Sequence, residues 1–97
     1  MKGIQEMDND NVIYLKVGGG SQAPKVAGSI VKNIGENKKV VLNAIGAGAV
    51  NQMLKSVTIA RSMIASAGRD LSFTSGFSTE LIDNQEKTCM LIFVVVN

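Results

Sequence analysis

The sequence predicts an α/β fold, a two-layer sandwich of order β-α-β-α-β-β, on three observations. Segments 12–17 and 70–82 alternate apolar and polar residues with the period of strands. Two longer segments, 24–34 and 46–67, carry apolar residues at helical spacing. The segment "KTCMLIFVVV" (87–96) is apolar on both faces, the pattern of a central strand covered twice.

In chain order, "MKGIQEMDNDN" (1–11) is polar and unpatterned and reads as a loose, disordered N-terminal tail. A single domain is expected over 12–97. "VIYLKV" (12–17) is the first strand, with Ile13, Leu15 and Val17 on one face and Tyr14 and Lys16 on the other. "GGGSQAP" (18–24) is a loop, and Pro24 suits the first turn of a helix, where its missing N–H costs nothing. Val26, Ala27, Ile30, Val31 and Ile34 share one face of that helix, with Lys25, Lys32 and Asn33 off it and Gly35 as a left-handed stop. "KKVVLNAI" (38–45) is the second strand. The second helix carries a stripe of Val50, Met53, Leu54, Val57, Ala60, Met63 and Ile64, and Gly68 ends it. The third strand puts Leu71, Phe73, Ser75 and Phe77 on one face, "DNQE" turns the chain, and the fourth strand closes the domain. Two helices cover only one face of such a sheet. The apolar residues of the fourth strand on the other face then call for a partner, most simply in a homodimer.

Composition narrows the function. The chain has 97 residues, 45% apolar and 19% charged, the profile of one globular domain. There is no histidine, so the commonest general base and metal ligand is missing. The single cysteine, Cys89, reads as a buried inert thiol. The longest apolar run near the end has seven residues, too short for a bilayer, and no secretory pattern precedes it. A cytoplasmic protein without membrane association is expected. The tail holds Lys2 against Glu6, Asp8 and Asp10, net −2, while 12–97 hold nine basic and five acidic residues, net +4. The domain is mildly basic, which permits a polyanion as partner.

The glycine turns invite a nucleotide reading, and their details oppose it. "GGGSQA" (18–23) fits the dinucleotide pattern at Gly18, Gly20 and Ala23, but the next strand ends in Asn43 rather than an acid. "IGAGAVNQ" (45–52) has Asn51 where the third glycine belongs, and neither turn has the P-loop lysine. Ser21, Ser29 and Ser66 have no histidine to activate them; Lys25 beside Ser21 has no accompanying oxyanion motif. Asp70, Glu80, Asp83 and Glu86 read as solvated charges. No enzyme activity, cofactor or metal is expected. What remains is a polar rim where both strand-to-helix junctions meet at one sheet edge, with Gly46 and Gly48 allowing a tight turn and close backbone approach.

"LKVGGGSQAPKVAGSIVKNI", "NAIGAGAVNQMLKSVTIAR" and "DLSFTSGFSTELIDNQEKTCMLIFVVV" resemble the stage V sporulation protein S family over residues 13–96. The most specific block is 44–61. That family looks like a relative of the Alba chromatin and RNA-binding proteins. The resemblance implies the Alba-like fold with sheet order 1-2-4-3. It also implies a small cytoplasmic, dimeric protein that binds DNA or RNA, with a role in sporulation. Alba proteins carry paired lysines in the first loop, an arginine at the second helix start and a basic hairpin arm. Here the first loop has Lys25 alone, the second turn has no arginine, and the hairpin reads "DNQEK". Nucleic-acid contact would then fall on Lys16, Ser21, Gln22, Lys25, Gly46, Gly48, Asn51, Gln52, Lys55 and backbone N–H groups. It would be weak, salt-sensitive and sequence-tolerant. The alternative is an assembly module whose partners dock on the open sheet face or on the edge of the third strand.

Overall fold

The computed structural model describes the backbone of residues 4–9 and all of residues 11–97. Its elements are β1 (Ile4–Asn9), β2 (Val12–Val17), α1 (Ala23–Gly35), β3 (Lys39–Ala44), α2 (Ala47–Ala65), β4 (Leu71–Ile82) and β5 (Gln85–Val96). The strands form one sheet of order β1-β2-β3-β5-β4. Strands β2 to β5 are the four expected strands in the expected order 1-2-4-3, and both helices pack on one face.

Where the sequence reading has a loose tail, the backbone of Ile4–Asn9 runs antiparallel beside β2 as an additional edge strand. Asn11, at φ 68°, completes the turn into β2, a conformation asparagine adopts more readily than most residues. The first helix also ends differently. Gly35 is its last helical residue, and the left-handed stop falls on Asn37 at φ 62°. The Lys38 amide then donates back to the Asn33 carbonyl at 3.0 Å. Gly68, at φ 75°, ends α2 as expected, with the Arg69 amide reaching the Ile64 carbonyl.

The core lies between the helices and the alternate residues of β2 and β3. Leu15, Ile30, Leu42, Met53 and Ile92 are fully buried, each contributing about 1.5–3 kcal/mol by leaving water. The stripe on α2 is narrower than its spacing suggests. Leu54 and Met63 are 41% and 46% exposed, while Ser56 is buried with its hydroxyl donating to the Gln52 carbonyl. Asn33, expected off the core face of α1, is buried because its amide donates to the Ser29 carbonyl one turn back.

The β4–β5 hairpin outgrows the sheet. Pairing of β3 with β5 stops at Ala44↔Met90, while β4 and β5 stay paired out to Ile82↔Gln85. The tip is a two-residue turn with Asp83 and Asn84 both at positive φ, the twist that suits a hairpin. Residues 77 to 90 therefore leave β3 as a two-stranded arm, whose base at Glu80 and Cys89 still packs against the open face of the body beside Lys16. Phe73 and Phe77 share the helix-side face with Leu71 as expected, but only Leu71 is buried.

Candidate nucleic-acid interface

Strands β2 and β3 run parallel and in register, Val17 beside Ala44. Their outgoing loops therefore emerge side by side. The first loop closes on itself: the Ser21 amide donates to the Gly18 carbonyl at 3.0 Å, and the Gly18 amide to Ser21 Oγ at 2.8 Å. The second junction turns at Gly46, φ 90° and ψ 157°, a region that only glycine occupies without strain. Gln52 Nε2 donates to the Ser21 carbonyl at 2.6 Å and latches α2 to the first loop. The two backbones nearly touch, since a Cβ on Gly48 would stand 4.0 Å from Gly19 Cα.

Two helix starts thus face one rim. Neither has a side-chain cap, and neither has an acidic residue in its first turn. The first amides of a helix have no intrahelical acceptors and carry the positive end of its dipole. On α2, the Val50 amide is the first committed to the helix, donating to the Gly46 carbonyl.

The rim gathers most of the residues expected there. Gln22, Lys25, Gly46, Gly48 and Asn51 are exposed on it, while Lys55 is exposed about two turns along α2 from its start. Ser21 is buried, and Gln52 is half-buried; both hold the loops together. Lys16 is not brought to the rim. It points to the open sheet face, where its ammonium lies 3.6 Å from Glu80 Oε2.

That pair belongs to a cluster the sequence conceals. Glu80 accepts a hydrogen bond from the Cys89 thiol at 3.1 Å. This bond, followed by the charge of Lys16, holds the Glu80 carboxyl below its ordinary range. Burial, with Glu80 adding to it, pushes the Cys89 thiol up to about 11. Cys89 is the buried thiol expected, while Glu80 is an engaged group rather than a solvated charge. Asn43 Oδ1, on the neighbouring strand, is buried with no partner among the described residues, at a cost of roughly 1–3 kcal/mol. Only the cross-strand register puts Lys16, Asn43 and Glu80 together, so no local motif announces them. Asp70, likewise read as solvated, receives Arg61 Nε at 2.6 Å, and this hydrogen bond lowers its pKa.

Strand order, helix placement and the paired loops define a two-layer α+β domain of order β-α-β-α-β-β. The family model of stage V sporulation protein S (SpoVS) matches residues 13–97, and the chain belongs to this sporulation-related family. No helix among the described residues is long and apolar enough to cross a membrane.

Proposed function

We propose that the chain is a non-enzymatic, cytoplasmic nucleic-acid-binding protein of the SpoVS type, a regulatory or architectural factor acting as a dimer. The observation that carries this reading is the rim. Two uncapped helix starts lie side by side with no acid in either first turn, Lys25 and Asn51 are exposed around them, and Lys55 is exposed farther along α2. Backbone amides and two lysines suit phosphate oxygens and read no base, so binding is sequence-tolerant. With few cations, affinity is modest and falls as salt rises.

Fluorescence anisotropy against duplex DNA, single-stranded DNA and RNA at low salt tests this. The expected Kd is roughly 10⁻⁴ M or tighter, weakened by Lys25→Glu and by Lys55→Glu. Absence of binding, or binding indifferent to both changes, would sink the reading. A second reading, a protein-assembly module in spore development, draws on Phe77 and Leu81, exposed at 75% and 69%. It predicts a pull-down that survives the rim changes and fails with Phe77→Asp.

A further inference from the structure

Edge strands are usually blunted by lysine, proline, a bulge or short length, because their free N–H and C=O groups template a further strand. Strand β4 has none of these guards. It is twelve residues long, "LSFTSGFSTELI", and pairs with β5 without interruption. Its one charged residue, Glu80, is drawn back onto its own sheet by Cys89 and Lys16. On its helix-side face stand Phe73, Phe77 and Leu81, exposed at 41%, 75% and 69%. Phe77 and Leu81 are the two most exposed large apolar residues among those described. Their equal spacing makes the strand self-complementary about Phe77.

We infer that β4 pairs antiparallel with β4 of a second copy, on a two-fold axis at Phe77, joining two sheets into one continuous sheet. This rests on the dimer of the proposed function and assigns its seam. The register follows from side-chain matching. With Phe77 opposite its own copy, Phe73 faces the second copy's Leu81, Ser75 faces Thr79, and Thr74 faces Glu80. The three exposed apolar residues on the helix side, Phe73, Phe77 and Leu81, then each meet an apolar one, and no like charges meet. Sliding the second copy to put Ser75 opposite itself sets Leu81 against Arg69. Sliding it the other way sets Phe73 against Gln85. Each slip keeps two apolar pairings where the Phe77-centred register has three, and leaves one large apolar side chain of each copy against a polar residue. The contact is isologous and closes at two copies, so the edge is consumed rather than propagated into a fibre.

The geometry reaches the rim as well. Phe77 pairs with Met90, the residue level with Ala44 at the end of β3. The axis therefore crosses the sheet at rim level, and each arm lies along the body of the other copy. The two rims come to one level on either side of the axis.

Light scattering and cysteine cross-linking test the seam together. The wild-type chain should scatter as twice its 10.2 kDa mass, and Phe77→Asp should scatter as a folded monomer by circular dichroism. Residues opposite in an antiparallel pair have Cα atoms about 4.5–5.5 Å apart, inside disulfide range. Phe77→Cys should therefore cross-link to its copy under mild oxidation, while Ser75→Cys and Thr79→Cys should not. A wild-type monomer would overturn both the seam and the dimer. A dimer that survives Phe77→Asp, or that cross-links through Ser75→Cys instead, would overturn this seam and leave the dimer and the rim reading standing.

Discussion

The rim and the arm leave the same edge of the sheet on opposite terms. At the rim, two loops fit each other through small residues, a buried serine and a glutamine latch. The arm is two strands whose helix-side face carries large apolar side chains with no helix above them. A fit made inside one chain binds without needing another copy. Apolar surface left in water is completed by a partner. The rim should therefore answer to changes through folding, and the arm through association.

The largest expected effect removes the floor common to both. Leu42→Ala empties a fully buried site beneath the helices and should cost about 2–5 kcal/mol in denaturant unfolding. Next is the turn. Gly46→Ala forces a side chain into a glycine-only conformation and should cost about 1–3 kcal/mol. Gly48→Ala is its control, because the added Cβ meets Gly19 only at ordinary contact distance, 4.0 Å. If both alanines cost alike, the turn is not the source of the strain. Gln52→Ala unlatches the loops and should cost about 0.5–1.5 kcal/mol, with weaker nucleic-acid binding.

Acid should act through Glu80 and Asp70. Both carboxyls titrate below their unfolded values. The unfolded chain then binds more protons in that window, so stability rises with pH across it. The contribution is present above the ordinary carboxylate value and is lost as pH falls below it. Glu80→Gln should flatten the acid limb of a stability–pH curve. The smallest effect belongs to the arm. Phe77→Ser, measured dilute enough to be monomeric, should change stability by no more than about 0.5 kcal/mol. A larger loss would show that the arm is packed within its own chain.

Much of this was legible in the sequence, for definite reasons. Val12–Val17 and Leu71–Ile82 alternate cleanly, so period alone places them. The double-faced apolar run at the end places β5 in the interior of the sheet. The stop at Asn37 was hidden because Gly35 is the stronger left-handed residue two positions earlier. Strand β1 was hidden because its support is backbone pairing to β2 rather than an apolar pattern. At the rim, residue types were legible and their roles less so. Ser21 and Gln52 looked like ligand contacts and are ties between loops. Lys16 looked like a rim cation, yet strand alternation sends it to the opposite face, where the long-range approach of Glu80 holds it.

The shielding of Cys89 gives the chain a chemical clock. A thiol with no exposed surface, ionising only near 11, barely reacts with alkylating agents or peroxide while the fold is closed. Modification must wait for the base of the arm to lift from the open sheet face, so the labelling rate in neutral buffer counts openings there. Prolonged oxidative stress would then mark the chains that unfold most often and spare the rest.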